Sequence, residues 1–206
     1  MRAKELLTER ILNLHTPEEK AKYVDQVWDL LQNAYQKAGG FKSAVNKEEL
    51  INNPGYWKVV KRGDKITAAN LYRKIPQTTT FKIYASGAEA ELELDPEKQE
   101  YRATEQGKRD YINIKKADVT QKRSWAEVSG APEKFAKRLG AKPIPNKFAA
   151  YLTGKEILEL NPDGYHYTRL IQGEPYEKAM YGFIGLTPDQ EKALENNGLN
   201  LLDLPR

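Results

Sequence analysis

The stretch that most restricts the possible folds is 124–141, Ser-Trp-Ala-Glu-Val-Ser-Gly-Ala-Pro-Glu-Lys-Phe-Ala-Lys-Arg-Leu-Gly-Ala. Its first residues, Trp125–Ser129, have strand character. Gly130 then makes a turn, Ala131-Pro132 opens a helix and Gly140 stops it. Proline just inside a helix start and glycine just past its end is the asymmetry that real helices show. Phe135 and Leu139, four apart, form one apolar stripe, and Glu133, Lys134, Lys137 and Arg138 fall on the wet side. A strand feeding a compact amphipathic helix is one βα unit, and a βα unit requires a sheet with a parallel component.

The segments before it supply more of that sheet. Thr16-Pro-Glu-Glu is a helix start: Thr16 caps, Pro17 suits the first turn and Glu19 completes a capping box. Val24, Val27, Leu31, Ala34 and Tyr35 continue at helical spacing until Gly39-Gly40. A short helix is expected at Lys47–Asn52, stopped by Asn53-Pro54-Gly55. Tyr56–Ile75 reads as a hairpin turning at Arg62-Gly63-Asp64. Thr78–Ala85 is a further β-prone segment. Residues 86–104 read as an inserted acidic edge strand and turn, and Gly107–Gln121 as a helix. The beginning is ambiguous: Leu6, Leu7, Ile11 and Leu14 can line a helix, yet Arg10–His15 suits an edge strand.

Beyond Gly140, one broken or two short helices are expected over Lys147–Leu160, a turn at Asn161-Pro-Asp-Gly and a strand at Tyr165–Ile171. The tail carries a helix from Thr187 to Asn197, with Thr187 and Gln190 as a second capping box. With no repeat or flexible linker, the reading is one continuous domain over 1–171 and a C-terminal extension over 172–206, packing on the body or on a partner.

Composition narrows the chemistry. The chain has no Cys, which excludes disulfides and thiolate catalysis, and only two His, so a His-based metal site is not expected. Lys and Arg number 33 against 29 Asp and Glu, a net charge of +4 that permits an anionic partner without demanding nucleic acid. No apolar run approaches the roughly 20 residues that span a bilayer. The first residues carry no apolar signal core, so the cytoplasm is the expected location and no membrane partner is expected. The chain has no Gly-x-x-x-x-Gly-Lys-Ser/Thr loop and no His-Glu-x-x-His, which argues against a P-loop nucleotide hydrolase and a metalloprotease.

Ala126-Glu-Val-Ser, followed by Phe135-Ala-Lys-Arg-Leu-Gly-Ala-Lys-Pro, resembles the acceptor-side strand and helix of the GNAT superfamily of N-acyltransferases. The order of elements from about Pro17 to Ile171 is similar to that family's plan. The overall texture also resembles GNAT-like proteins encoded by tailed phages, which would place the chain in a host cytoplasm. The resemblance implies an α/β fold, with helices on both sides of a central mixed sheet and a helical tail. It implies acetyl-CoA as cofactor and a small-molecule or macromolecular amine as acceptor. In the family, the cofactor pyrophosphate rests on amides at a helix start, in a loop of the form Arg/Gln-x-x-Gly-x-Gly/Ala. The matching register here is Arg102-Ala-Thr-Glu105-Gln106-Gly107, followed by Lys108 and Arg109. Glu105 stands where the family has glycine, and a carboxylate there repels a pyrophosphate.

For acetyl transfer the resemblance points to Glu127 as the base, and to Tyr165 or Tyr167 as the acid that protonates the leaving thiolate. Strand alternation sets both tyrosines on the face opposite His166. Ser129 is a neighbour by position alone. Two other readings stand beside this one. A GNAT-shaped protein without catalysis is supported by Glu105. A basic nucleic-acid-associated protein would use the cluster Lys108–Arg123 with Tyr101, Tyr111 and Trp125 nearby.

Overall fold

The computed structural model describes residues 9–74, 81–93, 97–121, 124–128, 131–145, 148, 158–160, 164–171, 173–196 and 198. The chain divides into two compact units. One comprises Met1–Arg73 with Ile83–Lys116, and the other Lys74–Lys82 with Ala117–Arg206.

The first unit begins with strand β1 (Glu9–Leu14), so the edge-strand alternative holds for this segment. Helix α1 (Pro17–Ala21) opens with the expected box: the Glu19 amide donates to Thr16 Oγ1 at 3.2 Å, and Glu19 accepts from the Thr16 amide at 3.1 Å. The helical pattern is interrupted at Tyr23, whose φ of −126° and ψ of 5° leave the helical region, and resumes as α2 (Val24–Ala34). Val24, Val27, Leu30 and Leu31 form its buried stripe. Helix α3 (Lys47–Asn52) follows, capped by Asn46. Its carboxyl end is tied down by the buried Lys20, whose ammonium donates to the carbonyls of Ile51 and Asn53 at 3.3 and 3.0 Å. A cation among the unpaired carbonyls of a helix end satisfies groups the helix itself cannot.

Strands β2 (Tyr56–Arg62) and β3 (Lys65–Lys74) form the expected hairpin, with Arg62 opposite Lys65 and Gly63 at φ 57°. β1 pairs antiparallel with β2, and β3 is followed in the sheet by β4 (Phe81–Ala88). Residues 78–80 of the expected strand lie outside the described residues. The acidic insertion is a separate two-stranded ribbon, β5 (Ala90–Leu92) with β6 (Tyr101–Ala103). Helix α4 (Glu105–Gln121) comes next and starts two residues earlier than expected. Trp57, Val59, Leu71 and the α2 stripe make the core of this unit.

The second unit is built around β7 (Ser124–Val128), which leads to helix α5 (Ala131–Arg138). The expected βα unit is therefore present, its strand one residue earlier; Ser129 and Gly130 lie outside the described residues. The parallel pairing is also as expected, and is two residue pairs long: Phe81 opposite Ser124 and Lys82 opposite Trp125. Every other pairing with a described register is antiparallel, so the sheet is mixed.

On the other edge of β7 the structure differs from the sequence reading. Residues 174–182, assigned there to the extension, form strand β11 (Glu174–Gly182), paired with β7 through Ala179–Gly182. Strand β10 (His166–Ile171) pairs with the first part of β11, and β8 (Lys142–Ile144) takes over at Met180–Gly182. β9 (Glu159–Leu160) closes the order after β10. The first half of β11, 174–177, is exposed, polar and contains Pro175, which makes it look like a tail. The missed signal was the two-residue connection after Ile171: Gly173, at φ 87°, supplies the positive φ of a tight hairpin. Helix α6 (Pro188–Asn196) ends the described chain. The Gln190 amide donates to Thr187 Oγ1 at 3.4 Å, but Gln190 Oε1 bonds nothing, so only half of the second capping box forms. The core of this unit is Trp125, Ile144, Phe148, Tyr167, Met180, Ile184 and Leu194.

Candidate functional site

Glu127 sits in the middle of β7, directly opposite Met180 of β11. Its side chain is only 6% exposed, and an ionised carboxylate is tolerated there only if its oxygens are paired. They are. Tyr167 O–H donates to Oε1 at 3.0 Å, while Lys82 Nζ and Arg169 Nη2 donate to Oε2 at 2.8 and 2.7 Å. Lys82 comes from β4, and Tyr167 and Arg169 from alternate positions of β10. Lys82 also stands over the Trp125 ring, 4.9 Å from its centroid.

Burial alone raises the pKa of Glu127, but the charge and hydrogen bond of Lys82, the charge of Arg169 and the Tyr167 hydroxyl outweigh it. The carboxyl is held below its ordinary range and is ionised at neutral pH. Tyr167 is pushed the other way, by burial first and by the Glu127 charge next, so its proton stays on the phenol. The pair is a protonated phenol hydrogen-bonded to a carboxylate.

The structure thus brings Glu127 and Tyr167 together. Tyr165 precedes β10 and is exposed. His166 points to the other face, as alternation requires, and its Nε2 meets Glu133 of α5 at 2.9 Å. Tyr181 O–H and Lys137 Nζ reach the same carboxylate at 3.2 and 2.8 Å, which fastens α5 to β10 and β11. Lys82 and Arg169 were not singled out in the sequence. The available signal was Arg169 two residues after Tyr167, a charge on the face that the strand buries.

The residues matched to the phosphate loop belong to the other unit. Arg102, in β6, is paired with Glu93 and Glu100. Glu105 is the first residue of α4 and pairs with Lys108 at 2.6 Å. Arg109 Nη2 donates to Gln106 Oε1 at 3.2 Å, and Gln106 Nε2 in turn donates to Asp110 Oδ1 at 2.8 Å. The Gly107 amide is taken by Thr104 Oγ1 at 2.9 Å. Gly107 has a packing reason to lack a side chain: a Cβ there would lie 2.5 Å from the Glu89 carbonyl oxygen.

No protein-family model and no curated protein matches the sequence. Among solved structures, the chain is similar to a tandem GNAT protein from the clavulanic acid biosynthesis pathway. There the identity is 16% and the TM-score 0.44, over 67% of this chain and 46% of the other, less than half of that protein's length. It is similar also to an acetyltransferase of the GNAT family from Desulfovibrio desulfuricans, with 13% identity and a TM-score of 0.44 over 86% and 99% of the two chains. An acetyltransferase from Staphylococcus epidermidis gives 11% identity and the same score over 87% and 100%. No helix among the described residues is long and apolar enough to cross a membrane.

Proposed function

We propose that the chain is an N-acyltransferase that moves an acetyl group from acetyl-CoA to a primary amine. The observation that carries this reading is the 3.0 Å hydrogen bond between Tyr167 and Glu127, on the strand whose sequence resembles the acceptor side of the GNAT family. The amine nitrogen attacks the thioester carbonyl, the C–N bond forms and the C–S bond breaks. The amine proton goes to Glu127, the Tyr167 proton goes to the thiolate, and the bond between the two side chains returns a proton to the phenolate. Two cations on Glu127 lower its basicity, so its service as base depends on Lys82, the more exposed partner, giving way to the incoming amine.

General acid and base groups contribute about 10²–10⁴-fold each. Thiol release from acetyl-CoA with a panel of polyamines, aminoglycosides, peptides and amino acids should therefore fall by that factor in Tyr167→Phe and in Glu127→Gln. Titration calorimetry should show acetyl-CoA affinity unchanged in both. Full turnover in Tyr167→Phe, which keeps the ring in the core, would refute the relay.

A second reading, a GNAT-shaped protein that binds a partner without catalysis, is favoured by the pairing of Arg102 with Glu93 and Glu100 and by Glu105 in the first turn of α4. Absence of acetyl-CoA binding in the wild type and in Glu105→Gly would decide for it.

A further inference from the structure

Around Glu127 the charges do not balance. Lys82 and Arg169 both donate to its Oε2. Lys178 of β11 stands opposite Tyr167 in the β10 register and feels the charges of Glu127, Arg169 and Lys82. Three cations thus face one carboxylate. The Arg169 side chain is 9% exposed, and its Nε–H is sheltered from solvent yet has no hydrogen-bond partner among the described residues. Lys178 stands over the Tyr176 ring at 6.0 Å and makes no ion pair among the described residues. A buried guanidinium donor without an acceptor is an uncommon arrangement and costs free energy unless a bound group completes it. Asp110, a comparable buried charge in the other unit, accepts hydrogen bonds from three different side chains and has both carboxylate oxygens paired.

We propose that Arg169 Nε, with Lys178 and Lys82, forms a subsite for a carboxylate of the ligand, and that the acceptor is a compound bearing both an amine and a carboxylate. The acceptor half rests on the acyl-transfer reading; the carboxylate subsite does not. The chemistry favours a carboxylate over a bulkier dianion. The site offers one guanidinium edge and two ammonium groups, and a guanidinium edge matches the plane of a carboxylate. A carboxylate on Arg169 and an amine at Glu127 would each meet a group of the opposite charge, and those two groups are neighbours, with Arg169 Nη2 2.7 Å from Glu127 Oε2.

Calorimetric titration of the full chain, without acetyl-CoA, tests the subsite with glycine and β-alanine, with their neutral-headed amides, and with inorganic phosphate. The free carboxylates should bind at least tenfold more tightly than the amides, and Arg169→Lys, which keeps the charge and loses the Nε donor, should remove that preference. If Arg169→Lys does not fold, Lys178→Met, on a half-buried side chain, should weaken carboxylate binding tenfold. Equal binding of acids and amides, no binding, or phosphate binding in place of carboxylates would each overturn the proposal. Arg169-dependent carboxylate binding without thiol release would leave the subsite standing and remove the acyl-transfer reading. Thiol release with amines lacking a carboxylate, at rates equal to those with amino acids, would do the reverse.

Discussion

Among the described residues, Asp110 is a buried charge with both side-chain oxygens paired. Its carboxylate has no exposed surface and accepts from Arg62 Nε and Nη2 at 2.8 and 2.7 Å, Thr67 Oγ1 at 2.5 Å and Gln106 Nε2 at 2.8 Å. Burial pushes its pKa up, and the hydrogen bonds from Arg62, Thr67 and Gln106 more than reverse this. Arg62 continues to Glu9 at 2.7 Å, so this single carboxylate links α4, the β2–β3 hairpin and β1. Replacing it breaks a charge-assisted fork and leaves the guanidinium with Glu9 as its remaining charged partner. Asp110→Asn should cost on the order of 3 kcal/mol, read as a lower urea midpoint at unchanged slope. A loss below 1 kcal/mol would mean that Glu9 and water replace the carboxylate.

At the scale of elements, α4 is seated by an absence. Its Gly107 Cα lies against the Glu89 backbone, and the Thr104 amide donates to the Glu89 carbonyl at 2.9 Å. A methyl group at 2.5 Å from a carbonyl oxygen must push one backbone away from the other. Gly107→Ala improves intrinsic helix propensity by about 1 kcal/mol, yet overpacking of this kind costs about 1–3 kcal/mol. The net expectation is a lower thermal midpoint and faster hydrogen exchange in the first turn of α4. A more stable variant would show that the contact with Glu89 is loose. The consequence for function is specific: a charged residue at 107 would disturb the helix seat before it could report on phosphate, so Glu105→Gly is the cleaner probe of acetyl-CoA binding.

Across the whole molecule, each unit holds a carboxylate with a buried side chain and a lowered pKa, Asp110 in the first and Glu127 in the second. Both have folded pKa values below their unfolded values of about 4. Their contribution is complete above that value and is lost as pH falls through the folded ones, so stability should decline from about pH 5 downward. Trp57 in one unit and Trp125 in the other, both buried, can report the loss separately in single-tryptophan variants. In each variant the fluorescence change should begin below about pH 5. Two separate midpoints would show that the units unfold independently.

What the sequence by itself determined is local. The Thr16 box, the Gly63 hairpin and the strand–Gly–Pro–helix passage at 124–140 are written in neighbouring residues, because caps, tight turns and amphipathic stripes depend on contacts a few positions apart. The pairing of Glu127 with Tyr167 was legible only as two candidate roles, since 40 residues separate them. The tertiary structure alone decided that β11 lies beside β7, that Arg169 shares the Glu127 carboxylate and that Arg102 is spent on Glu93 and Glu100. Strand partners are chosen by backbone hydrogen bonds that every sequence offers equally. The charges brought together on one face follow from that choice and leave little trace in either strand alone.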